Sequence, residues 1–174
     1  MLNPSQKRIL SVGRFFTMRN NRLKIILGIA TAVIAVVAIF FGFAGAFGEI
    51  RNYPDGRGNM FQIMFGGRGY ESVPLMIVAF VFFIVAAVFA LVSAFLPGKL
   101  GMFGFGLAAV LLVAGGVMIF FTPNLFLSAN SEVISAESLK ENPINAGAGV
   151  FGMGIAAIVG GIASLYCARL ASKN

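Results

Sequence analysis

Four stretches of this chain, 25–47, 75–96, 100–121 and 146–168, run without a single Asp, Glu, Lys, Arg or His. Each matches the roughly 20 helical residues that a hydrocarbon core of about 30 Å requires. Within lipid every backbone polar group must be satisfied inside the segment or by closing a barrel. A barrel would show short alternating segments, so continuous Ala/Leu/Val/Phe-rich runs predict helices. The expected fold class is an all-α membrane protein: a four-transmembrane-helix bundle with a basic leader (1–24) and a short tail (169–174).

Composition removes the soluble alternatives. Hydrophobic residues make up 59% of the 174 and charged residues 11%, against about 45–50% and about 25% in soluble domains. That excess does not fit inside one soluble core. No His, no Trp and one Cys also argue against a soluble enzyme, a disulfide-stapled secreted module and a histidine-based metal site.

Charge placement sets the expected orientation, because Lys and Arg beside span ends stay cytoplasmic. Lys7, Arg8, Arg14, Arg19, Arg22 and Lys24 precede the first span with no acid among them. Lys99 lies in the short turn between spans two and three, and Arg169 and Lys173 in the tail. The other four basic residues, Arg51, Arg57, Arg68 and Lys140, share two longer loops with all six acids. The prediction is N-in and C-in, with both longer loops outside. The net charge of +7 then reads as a topological signal and an attraction to anionic lipid headgroups, not as nucleic-acid binding.

The first run is too long for a secretory h-region of about 7–15 residues, so Ala44-Gly45-Ala46 is not expected to be a cleavage site. Leu2 stands where myristoylation needs Gly, and the chain ends without a prenylation box. Ile9, Val12 and Phe16 share a helical face with Lys7 and Arg14 opposite, so the leader either lies as an amphipathic helix on the membrane or serves as a plain basic leader. Gly13 and Asn20-Asn21 are expected to weaken such a helix.

Inside the spans the informative residues are small. Helices in lipid approach closely where Gly, Ala, Ser or Thr recur every four residues. Gly152, Ala156, Gly160 and Ser164 form the clearest such ridge, with Ala157 and Gly161 beside it. Span one offers Ala38, Gly42 and Ala46, span two Ala86, Ala90 and Ala94, and span three Gly101, Gly104, Ala108 and Gly115. A compact bundle follows, with Phe-rich outer faces toward lipid. Homo-oligomer contacts or a partner helix are the other uses of such seams.

Ionisable residues inside spans mark proton relays and ion paths, and these spans have none. Their hydroxyls, Thr31, Ser93 and Ser164, are expected to bond to backbone. Cys167 reads as a packed small hydrophobe rather than a palmitoylation site. No catalytic, cofactor-binding or metal-ligating set emerges.

In the first outer loop Tyr53-Pro54-Asp55-Gly56-Arg57-Gly58 marks turns. The patch Met60-Phe61-Gln62-Ile63-Met64-Phe65 is open to strand, re-entrant turn or interfacial helix, and is expected to fold back on the bundle. Phe61, Phe65, Arg68 and Tyr70 are the candidate outer interaction residues. An anion-binding nest at Gly66-Gly67-Arg68-Gly69 lacks the Lys and Ser/Thr of the usual phosphate loop. In the second loop, 131–140 predicts one short amphipathic helix, with Asn142-Pro143 opening span four.

The basic leader, the loop containing Met60-Phe61-Gln62-Ile63-Met64-Phe65-Gly66-Gly67 and the three further spans resemble small tetraspan membrane proteins common in bacteria. That resemblance covers most of the chain, has loose motifs and implies no activity. Claudins have a Trp and a Cys pair in the first outer loop, and tetraspanins a Cys-rich large loop; this chain has neither. The expected function is a non-enzymatic accessory or scaffold protein of a bacterial cytoplasmic membrane, packing against a membrane partner. An oligomeric pore or carrier for a small or lipophilic solute is the alternative.

Overall fold

The computed structural model describes residues 4–43, 50–53, 56–58, 60–67, 69–141 and 143–173, without the side chains of 4–19, 43, 50–53, 56–58 and 138. It is a helical bundle in which four helices are long and apolar enough to cross a membrane. These are α1 (Pro4–Phe43), α3 (Pro74–Phe95), α4 (Gly98–Phe120) and α7 (Ala148–Ala171). Between them lie β1 (Ile50–Tyr53), β2 (Gly56–Gly58), α2 (Met60–Phe65), α5 (Thr122–Ala129), α6 (Ala136–Glu141) and β3 (Asn145–Ala146).

Helix α1 is continuous over 40 residues, about 60 Å at 1.5 Å per residue. Its apolar window is Asn20–Gly42, so the helix continues well beyond the bilayer-spanning part. Neither Gly13 nor Asn20-Asn21 interrupts it. A mid-helix Gly costs only about 1 kcal/mol and no Pro blocks the ladder. The leader's proposed amphipathic face, Ile9, Val12 and Phe16, lies outside the described side chains, as does Ala46 of the first-span seam.

The four long helices form a ring in which α1 packs on α3 and α7, and α4 on α3 and α7. Leu96 and Pro97 alone separate α3 from α4. Gly98 has φ +55°, a left-handed backbone that a Cβ would strain. The turn is therefore tight, and the helices it joins run antiparallel and adjacent.

Packing follows one repeated device, a large side chain seated in a glycine notch. A Cβ on Gly28 would stand 2.9 Å from Phe105 Cζ, on Gly115 2.7 Å from Phe83 Cε1, and on Gly154 2.6 Å from Phe120 Cζ. On Gly42 it would stand 2.8 Å from Met153 Cε. Lipid tails are as apolar as the side chains, so close van der Waals contact, not water exclusion, holds such helices together. Phe80, Phe83, Phe105 and Phe126 are accordingly buried, so part of the phenylalanine content fills the interior. Phe40, Phe95, Phe103, Phe121 and Phe151 do face outward.

At the end of the bundle away from the α3–α4 turn, the two longer connections meet. Antiparallel β1 lies between β2 and β3, with Ile50 opposite both Gly58 and Ala146. The Met60–Phe65 patch is helical, and Met60, Ile63 and Met64 turn down into the core. The second connection does not form one helix over 131–140. It makes α5, a turn over 130–134, and the short α6. Pro143 does not open the last span either: pairing of 145–146 with β1 delays its start to Ala148.

Candidate functional site

The small-residue positions divide by what they touch. Ala38, Gly42, Gly160 and Ser164 are buried, whereas Gly152 and Ala156 are half-buried. A Cβ on Gly152 would meet the Phe41 ring of α1 at an ordinary 3.4 Å. On Gly160 it would lie 3.2 Å from Ile34 and 3.3 Å from Leu112, between α1 and α4. A tighter approach is one face over, where Gly161 would meet Val113 Cγ2 at 2.7 Å and the Ala109 carbonyl at 3.3 Å. Gly116 would meet the Gly154 carbonyl at 3.1 Å. The ridge is thus occupied by the chain's own α1 and α4. Ala86, Ala90 and Ala94 of α3, and Gly101, Gly104, Ala108 and Gly115 of α4, are buried as well.

Three of the four buried hydroxyls among the described residues bond to backbone carbonyls, whereas Ser93, expected to do the same, is buried without such a bond. Thr31 donates to the Leu27 carbonyl at 2.9 Å, and Thr122 to the Ile119 carbonyl beside the Met76 sulfur. Ser164 donates to the Phe105 carbonyl at 2.8 Å, linking α7 to α4. Cys167 is fully buried, which removes it from the surface an acyl transferase reaches. Among the described residues no group of three His, Cys, Asp or Glu has the arrangement to hold a metal.

One charged residue escaped the sequence reading. Lys24, counted there as leader, is 1% exposed, and its Nζ donates to the Leu96 carbonyl at 2.8 Å. Leu96 is the C-cap of α3, where unpaired carbonyls concentrate partial negative charge. A cation four residues inside the apolar window is held there by the end of another helix.

The outer candidates form a cap. On α2, Phe61 and Phe65 point away from the core, 53% and 54% exposed, with ring centroids 4.8 Å apart. The spacing of four residues puts both on one helical face. The Tyr70 ring lies 5.6 Å from that of the buried Phe126, so Tyr70 braces the cap. Arg68 lies outside the described residues.

What holds the cap is Asn130, which the sequence showed only as one polar loop residue among several. It is buried. Its Oδ1 accepts from the Glu71 amide at 2.6 Å, and its Nδ2 donates to the Phe126 carbonyl at 3.0 Å, with the Glu71 carbonyl at 3.5 Å. The Val73 amide donates to the Ile63 carbonyl at 3.1 Å, tying α2 to the start of α3. One side chain therefore clamps the first connection to the second. Asn130→Ala is expected to lower stability by about 1–3 kcal/mol and to speed hydrogen exchange at the Glu71 amide. Unfolding titrations and exchange mass spectrometry check this.

Comparison of the chain with protein-family models, with curated proteins and with solved structures gave no match.

Proposed function

We propose that this chain is a non-enzymatic accessory or scaffold protein of a bacterial cytoplasmic membrane, with both termini inside and the cap outside. The orientation rests on nine basic residues gathered at the end of the bundle that holds the termini and the α3–α4 turn. Two features support the scaffold reading. The buried hydroxyls of Thr31, Thr122 and Ser164 are consumed by backbone carbonyls, which leaves little polar chemistry inside the bundle. The Phe61–Phe65 pair, meanwhile, stays exposed on a cap that Asn130 holds firmly, and that pair is the single observation that carries the proposal.

Exposed aromatic residues on a rigid support are the type that anchors protein interfaces. Because Gly160 and Ser164 already face the chain's own helices, the proposal moves the partner contact from the small-residue ridge to the cap, with Arg68 close by in sequence. The partner is a membrane protein whose outer surface lies at the same height.

The test is purification from native membranes in mild detergent, with native mass and mass spectrometry of what comes along. A stoichiometric partner is expected with the wild type. It is expected to be lost in a Phe61→Ser, Phe65→Ser double variant whose unfolding midpoint is unchanged, since both side chains are exposed. Retention of the partner by that variant overturns the cap reading. A lone homo-oligomer that raises liposome flux above empty-liposome leakage replaces the scaffold with a pore.

A further inference from the structure

On the lipid-facing side of the α1–α3 pair is a groove of about 350 Å³ lined by Ile29, Ala32, Val33, Val36, Ala87 and Leu91 among other aliphatic residues. Its size falls within the roughly 300–1,000 Å³ of small-molecule clefts, and no polar side chain lines it. Such a surface in a bilayer meets acyl chains along its length. What distinguishes this groove is its end.

Arg22 precedes Ile29 by seven residues, almost two full turns at 3.6 residues per turn, and Val33 and Val36 by eleven and fourteen. All four therefore share one face of α1. Ile29, Val33 and Val36 are exposed, and so is Arg22. The guanidinium is rooted about 10 Å along the helix axis from the groove's first lining residue. Among the described residues nothing pairs with it, in contrast to Lys24, which turns inward to the Leu96 carbonyl.

We infer that the α1–α3 groove with Arg22 is a site for one anionic phospholipid, its phosphate on the guanidinium and an acyl chain along the valines. Arg presents a planar fork that binds phosphate oxygens in a bidentate manner. The groove supplies the apolar half of the same ligand, aligned with the charge by helical periodicity. A second copy of the chain fits this face less well. A two-fold pairing across the groove brings Arg22 against the partner's basic end, with no acid on this helix to offset it. The inference needs only a chain that crosses a bilayer and is independent of the partner proposed for the cap.

Native mass spectrometry in mild detergent tests it, with phosphatidylglycerol or phosphatidylcholine of identical chains added to the purified full chain. One retained phosphatidylglycerol per chain is expected, preferred over phosphatidylcholine. Arg22→Gln is expected to reduce that retention about fivefold, the effect of about 1 kcal/mol for one basic residue near an anionic surface. Val33→Trp, which fills the groove, is expected to reduce it further, and Arg169→Gln on α7 to leave it unchanged. Equal retention of the two lipids, or a phosphatidylglycerol adduct indifferent to Arg22→Gln, overturns the site. A wild-type dimer that Val33→Trp dissolves gives the groove to a second copy instead. Arg22→Gln alters one exposed side chain, so its result stands whether or not the tryptophan variant folds.

Discussion

Gly161→Leu is expected to cost about 3 kcal/mol or more and to abolish recovery of a folded bundle from mild detergent. Overpacking a filled interior costs typically about 1–3 kcal/mol, and this position sits at the severe end because part of what the new side chain meets is backbone. The Ala109 carbonyl would stand 3.3 Å from its Cβ and Val113 Cγ2 2.7 Å away. Side chains can rotate aside, but helix α4 can retreat only by parting from α7 along its length. Gly116→Leu faces the same obstacle in the Gly154 carbonyl. The other glycines grade the effect. Gly160→Leu meets Ile34 and Leu112, which are side chains, and is expected to be milder. Gly152→Leu meets the Phe41 ring at ordinary contact distance and is milder still. Gly106, whose Cβ would meet nothing within 4 Å, is expected to accept Leu with little change. Unfolding midpoints across these five variants check the order. Equal midpoints for Gly161→Leu and Gly106→Leu would show that the α4–α7 contact does not hold the bundle together.

That gradation marks how far sequence alone reaches. The spans are legible because uncharged runs of bilayer length have one economical conformation in lipid. Small residues four apart are legible as a helical face for the same geometric reason. Which large side chain enters which notch is not, since Phe105 over Gly28 and Met153 over Gly42 pair residues far apart in the chain. The Met60–Phe65 patch is six residues long, too short for periodicity to separate strand from helix. The pairing of Ile50 with Ala146 was hidden because strands of two to four residues have no pattern of their own. Asn130 had no signal beyond being polar, because its partners are main-chain groups of residues 71 and 126, and backbone groups are the same in every sequence. The pair Phe61 and Phe65 could be named in advance, but their exposure follows only from knowing that Met60, Ile63 and Met64 occupy the opposite face.

Lys24 was misread for an instructive reason, and its substitutions are expected to separate two effects. Counting charges along the chain assigns every basic residue before the apolar run to the leader, yet a helix that begins at Pro4 carries Lys24 into the bundle on the same face as Gly28, Thr31 and Ala35, all buried. The ammonium loses hydration there and regains one hydrogen bond, to Leu96, at the negative end of the α3 dipole. Lys24→Glu puts a carboxylate against that carbonyl and against the same dipole end, and is expected to cost about 3–5 kcal/mol, the range for an uncompensated buried charge. Lys24→Met keeps the length of the side chain and removes the desolvation cost together with the bond. It leaves the Leu96 carbonyl without that donor, a cost of about 1–3 kcal/mol, but buries no charge, so Met is expected to lie between the wild type and Glu. Unfolding midpoints of the two variants, with Arg22→Glu as the exposed control two residues earlier on the opposite face, read this directly. If Lys24→Glu and Arg22→Glu behave alike, Lys24 is a solvated leader residue after all; if only Lys24→Glu unfolds the bundle, the first span is fastened to the α3–α4 turn by a buried cation.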